Sequence, residues 1–179
     1  MTINKQKILL LDNGREWGGG TNSMLELLKR IDRQKFDITC CFYHNYGRGN
    51  GETIESALLA LDIPVFFIPQ IKQPRWAKIV KEVARALLFF NKKLKKRAID
   101  LIDERWRIIP NASKINSLLQ LGKYDTLYMN NQPSTNIEGY LAARGLNVAV
   151  VQHCRIDPLL EPRLVKMVNQ DCQAVIAVS

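Results

Sequence analysis

Six short apolar runs, separated by longer stretches of helical period, restrict the fold of this chain more than any other feature. The runs are "KILLLD" (7–12), "FDITCCFY" (36–43), "IPVFFIP" (63–69), "YDTLYMNN" (124–131), "NVAVVQH" (147–153) and "AVIAV" (174–178). A strand, a helical crossover and a further strand make a parallel pair, because parallel neighbours cannot be joined by a tight turn. Repeated along a whole chain, this pattern predicts an α/β fold with a doubly wound, mostly parallel sheet of Rossmann-like type. At 179 residues and 46% hydrophobic, the chain suffices for one domain, 1–179, with its own core.

The spacing predicts helices over Thr21–Ile31, with Met24, Leu27, Leu28 and Ile31 on one face, and near Thr53–Leu61. Ser23 with Glu26, and Thr135 with Glu138, have capping-box spacing. Gly145 suits the position just past a helix that turns Ile137, Tyr140 and Leu141 inward, and Pro162 suits a first helical turn. A long basic helix runs from about Trp76 to Arg97 and on toward Arg107, Pro110 interrupts it, and a short helix covers Ser113–Leu121. Adjacent Cys40 and Cys41 point to opposite faces of their strand, and with no CxxC pair all four cysteines read as buried free thiols. His44 and His153 are the only histidines and no ligand cluster accompanies them, so no metal site is expected.

After the first strand comes "GREWGGGT" (14–21). The dinucleotide fingerprint G-x-G-x-x-G does not fit, and the second strand ends in Phe42, Tyr43 and His44, without an acidic residue for a ribose. The P-loop spacing fits better, but Gly20 stands where its lysine must be, which argues against nucleotide hydrolysis. Two readings stand: a tight turn without a ligand, or a loop whose backbone N–H groups face an anion at a helix start. The other carboxyl-end loops supply Asn130, Asn131, Gln132 and Ser134 after the fourth strand, and His153 and Arg155 after the fifth. In open α/β sheets ligands bind at that edge.

With its Gly-Gly loop, His153 just after the fifth strand and the closing "QDCQAVIAVS" (170–179), the chain resembles the N-terminal half of GT-B glycosyltransferases, and most of all glycosyltransferase family 4. The resemblance implies an acceptor-side domain whose donor-binding C-terminal partner, with its paired-glutamate motif, lies outside 1–179. It implies a retaining enzyme in cell-surface glycan synthesis, using a nucleotide-diphosphate sugar as donor substrate and a glycan or lipid-linked acceptor. No tightly bound cofactor and no metal are implied. Gly19, Gly20, Thr21, Asn130, Asn131 and Arg155 become the substrate and phosphate contacts, and His153 the residue that touches the transferred sugar. This chain alone is then expected to be inactive. The closing strand, with no helix after it, reads as one domain of a larger enzyme.

Net charge is +9, and the 72–107 segment holds twelve Lys and Arg against four Asp and Glu. In "WAKIVKEVARALLFFNKKLKK" (76–96), Ile79, Val83, Leu87, Phe90 and Leu94 have helical spacing and are expected to pack on the domain. Trp76, Lys78, Lys81, Arg85, Lys92, Lys93 and Lys96 are the candidate contacts to an anionic membrane surface, where each cation contributes about 1 kcal/mol. The plain alternative is a core-packed helix with a solvated lysine face. No nucleic acid is expected, because no recognised binding pattern is present. Without a signal segment or spanning run, the chain reads as cytoplasmic, peripheral at the inner face of the membrane. A non-catalytic, membrane-docking subunit that presents an acceptor to a separate donor-binding chain is the alternative function.

Overall fold

The computed structural model describes residues 5–155 and 160–177. Six strands, β1 (Gln6–Asp12), β2 (Phe36–Phe42), β3 (Val65–Phe67), β4 (Thr126–Met129), β5 (Ala149–Cys154) and β6 (Ala174–Ala177), form one parallel sheet in the order β3-β2-β1-β4-β5-β6. The order reverses direction between β1 and β4, and at such a point the two flanking loops part to leave a crevice.

Helices α1 (Gly19–Arg30) and α2 (Ile54–Leu59) cover one face; α5 (Ile109–Gly122), α6 (Ile137–Ala143) and α7 (Pro162–Asp171) cover the other. Alternation along β1 accounts for the two cores. Leu9 and Leu11 join Leu127, Met129, Ile115 and Tyr140, whereas Leu10 joins Met24, Leu28, Phe42 and Leu58. Cys40 and Cys41 fall in opposite cores as free thiols, and burial pushes the Cys41 thiol up to about 12. Gly145 follows α6 with φ of 76°, and Pro162 opens α7.

Several local expectations fail for identifiable reasons. β3 is only three residues long, held between Pro64 and Pro69. No side chain caps α1: its N-cap is Gly18, Ser23 turns instead to Arg155, and Glu26 pairs with Lys29. Nor do Thr135 and Glu138 form a box, because Thr135 donates to the Gln132 carbonyl and Glu138 is buried against Arg107. The long basic helix is two helices, α3 (Arg75–Leu87) and α4 (Lys92–Asp103), broken where the Asn91 side chain accepts from the Lys93 and Leu94 N–H groups. Pro110 interrupts nothing. α4 continues through a π segment, Glu104–Ile108, directly into α5, and the wider turns precede the point where a proline ring would clash with an α-helical ladder.

The largest departure concerns packing. Ile79, Val83, Leu87, Phe90 and Leu94, expected against the domain, are 65%, 50%, 66%, 71% and 49% exposed. Helical period identifies a common face, and here that face meets solvent. Ala77 is the one residue of α3 that is buried.

Candidate functional site

At the switch point, Asp12 ends β1 in a nearly dry position, 2% exposed. One carboxylate oxygen accepts from the Gly14 N–H at 2.6 Å and the Asn131 amide at 2.7 Å; the other accepts from the Asn130 amide at 2.5 Å. A buried carboxylate needs such donors, and the two asparagine bonds fix the loops after β1 and β4 to each other. Asn131 takes a left-handed backbone, φ 72°, which asparagine tolerates better than most residues.

Below it runs a second polar chain. Gln152 of β5 accepts from the Tyr140 hydroxyl at 2.6 Å and donates to the Asn131 carbonyl at 2.7 Å, and Asn136 donates to the Asn130 carbonyl at 2.7 Å. Asn130, Asn136 and Gln152 are at most 1% exposed. Their satisfied bonds make the floor of the crevice rigid.

Arg155 follows β5 and crosses to this hub. Its Nε donates to the Asn130 side-chain carbonyl at 2.7 Å and its Nη1 to the Ser23 hydroxyl of α1. Its Nη2 is buried without a hydrogen-bond partner among the described residues. Burial works against the Arg155 charge, and the nearby Asp12 supports it.

Gly18, Gly20, Thr21, Asn131 and Arg155 line a recess of 340 Å³ beside these groups. With Gly18 as N-cap and no acidic residue in the first turn, the leading N–H groups of α1 stay without a side-chain acceptor. They carry the positive end of the helix dipole. A Cβ on Gly20 would stand 3.5 Å from the Asn131 amide oxygen and 3.9 Å from Arg155. Asp12 and Glu16 also line the recess and oppose an anion there, but both Asp12 oxygens are already engaged by donors.

The structure separates the residues singled out in sequence. Gly20, Thr21, Asn131 and Arg155 line the recess, whereas Gly19 and Asn130 do not. Asn130 lies beneath, and the Thr21 hydroxyl turns inward to Tyr46 at 3.2 Å. His153 is outside the lining too. It is 9% exposed, and its Nδ1 pairs with the Tyr128 hydroxyl. Burial, helped by the Arg155 charge, holds the imidazole below its ordinary range, and burial raises the Tyr128 hydroxyl. Both groups are therefore neutral near pH 7. The roles of Asp12, Ser23 and Tyr128 escape sequence reasoning. The one available signal was an aspartate closing an otherwise apolar strand.

Among the candidate membrane contacts, Lys81 pairs with Asp103, Arg85 with Glu82, and Lys96 with Asp100 and Glu161. Trp76 meets Trp106 edge-on at 4.9 Å while remaining 52% exposed, and Lys78, Lys92 and Lys93 are exposed. No helix among the described residues is long and apolar enough to cross a membrane, and none of them form a group of three or more potential metal-ligating side chains.

A larger recess, 520 Å³, opens between α4 and the α6–α7 pair, with Ile108, Ile137, Leu141 and Met167 on its walls beside Ser134 and charged residues that include Lys96 and Asp100.

No protein-family model matches the chain, and no curated protein sequence matches it. Solved structures do. A glycosyltransferase from Rickettsia africae ESF-5 superposes with a TM-score of 0.63 at 15% identity, over 98% of this chain and 37% of its own. HepE from Anabaena, solved in complex with UDP and glucose, gives 0.57 at 17% identity over 95% of this chain and 37% of its own. A UDP-N-acetylglucosamine 2-epimerase gives 0.54 at 15% identity over 97% and 42%. The chain thus spans about two fifths of the length of the structures it matches. At this level of identity the likeness is one of fold: a Rossmann-like α/β domain of the kind that forms the N-terminal half of GT-B glycosyltransferases.

Proposed function

We propose that this chain is the acceptor-side domain of a nucleotide-sugar-dependent, retaining glycosyltransferase that builds a cell-surface glycan, and that it is inactive by itself. The observation that carries the reading is the buried, unpartnered Nη2 of Arg155 beside the uncapped start of α1. An unpaired buried donor is costly, and an anion that accepts from it removes the cost. A diphosphate at the recess would meet the Arg155 guanidinium and the N–H groups around Gly20, while a second domain holds the rest of the donor.

In such a transfer the bond from the anomeric carbon to the diphosphate oxygen breaks as the acceptor hydroxyl oxygen bonds to that carbon. The hydroxyl proton passes to the departing diphosphate, and negative charge grows on that diphosphate as it leaves. Fixed donors stabilise that charge without reorganising. His153, locked by Tyr128 and neutral, orients the transferred sugar by a hydrogen bond. The apolar-walled recess beside Ser134 suits an acceptor that is partly apolar.

The test is sugar transfer by the full-length protein with a panel of nucleotide-diphosphate sugars. Transfer should be lost by at least tenfold in Arg155→Met and His153→Ala, with folding intact. Unchanged transfer in both variants refutes the assigned roles, and a change in the free sugar without an acceptor makes the protein an isomerase. The exposed α3–α4 hairpin favours a second reading, a non-catalytic subunit that docks on a membrane and presents an acceptor to a separate donor-binding chain. An immunoblot separates them, since the native band of that subunit runs at the size of this chain.

A further inference from the structure

A surface feature that the crevice leaves unused is the solvent face of α3. Trp76, Ile79, Val80, Val83 and Leu87 stand at i, i+3, i+4, i+7 and i+11, so they share one stripe, and each is between 43% and 66% exposed. The stripe leads to the turn before α4, where Phe89 and Phe90 are 75% and 71% exposed and meet edge-to-face at 5.8 Å. Both domain cores are complete without these residues. An apolar patch of this extent marks an interaction surface.

Cations surround it. The 75–97 hairpin holds nine Lys and Arg against a single acidic residue up to Arg97, Glu82. Lys81, Arg85 and Lys96 are taken up by ion pairs. Arg75, Lys78, Lys92, Lys93, Lys95 and Arg97 have no ion-pair partner among the described residues. Lys92, Lys93 and Lys95 follow the phenylalanine pair directly, while Lys78 and Arg85 occupy the side of α3 away from the stripe.

We propose that α3 lies in the plane of an anionic bilayer surface, with its apolar stripe and Phe89–Phe90 among the acyl chains and the lysines after the turn on lipid phosphates. A helix with an aromatic and aliphatic face opposite a basic one is built for that boundary. The charge decides against the other occupants. A second copy would bring two strongly basic hairpins face to face. A nucleic acid would engage the lysines and leave the stripe in water. The proposal stands apart from the transferase reading, although Lys96 and Asp100 of α4 also line the larger recess, which sets the bilayer beside a cavity suited to a lipid-carried acceptor.

The experiment is sedimentation of the 179-residue chain with phosphatidylcholine vesicles, with and without phosphatidylglycerol, at low and high salt. The chain should pellet only with the anionic vesicles at low salt, and its tryptophan emission should shift to the blue. Val83→Asp and the double variant Phe89→Ser/Phe90→Ser should abolish pelleting. Each neutralisation among Lys92, Lys93 and Lys95 should weaken it by roughly fivefold. Because Val83, Phe89, Phe90, Lys92 and Lys93 are exposed and Lys95 is only half-buried, the variants should melt like the parent, which separates lost binding from lost folding. Absence from both pellets, equal presence in both, or pelleting by Val83→Asp at the parental level would overturn the proposal. So would a solution dimer that Val83→Asp dissociates. None of these outcomes bears on sugar transfer, which the assay of the full-length protein reads separately.

Discussion

Arg155 Nε donates to the Asn130 side-chain carbonyl at 2.7 Å, which ties the end of β5 to the end of β4 along one side of the crevice. The same Asn130 gives its amide to Asp12. One fully buried side chain thus joins a cation, a carboxylate and two strands.

Asn130→Ala removes a partner from each side and leaves one Asp12 oxygen and the Arg155 Nε without their hydrogen bonds. Leaving a buried polar group unpaired costs about 1–3 kcal/mol. Urea unfolding should show a loss of that size. A variant within a few tenths of the parent would mean that the hub is not fixed by this contact.

Glycines at two positions answer differently to a methyl group. On Gly139 a Cβ would sit 3.2 Å from Leu11 and far inside the Met129 side chain, in the core beneath α6. Gly139→Ala should therefore destabilise by about 1–3 kcal/mol despite the better helix propensity of alanine. Gly20→Ala should fold like the parent, since its nearest neighbour would be 3.5 Å away. Thermal melts of the two variants check the contrast.

Ion pairs on the hairpin should divide by burial. Lys81 and Asp103 are 14% and 25% exposed, and their pair pins α3 to the end of α4; Arg85 and Glu82 are 47% and 68% exposed. Lys81→Met should cost about 1–2 kcal/mol, between the surface and buried limits, and Arg85→Met under about 0.5 kcal/mol. Equal losses in urea unfolding would contradict this assignment.

His153 makes stability depend on pH with a definite sign. Its folded pKa lies below the ordinary 6.5 because burial, and then Arg155, disfavour the imidazolium. The unfolded chain therefore binds this proton more readily. The contribution is present above about pH 6.5 and is lost as pH falls toward the folded pKa. The difference in stability between the parent and His153→Gln should be constant above pH 7 and shrink below 6.5. A difference that grows on acidification would reverse the assigned environment.

The sheet was legible because each strand is a short, largely apolar run and each crossover is long, which leaves few topologies. Boundaries moved where prolines trimmed β3 and where Asn91 capped a new helix. The hairpin misled for a physical reason. The period of Ile79, Val83 and Leu87 states that they share a face, not what that face touches. Gly20, Asn131 and Arg155 come together at one recess because loops at the carboxyl ends of strands converge. Asp12 and Tyr128 were missed because their roles come from pairing across β1, β4 and β5, and register is not visible in one strand.

Whether the glycine recess receives a diphosphate shared with a second domain can be read most directly by amide-resolved NMR of this chain titrated with inorganic pyrophosphate and with UDP. Shifts are expected at Gly18, Gly20 and Thr21, with weak binding in the millimolar range, little gain from the uridine, and loss of the shifts in Arg155→Met. Absence of shifts at the recess would contradict such a shared site, as would tight binding of the whole nucleotide by this domain unaided.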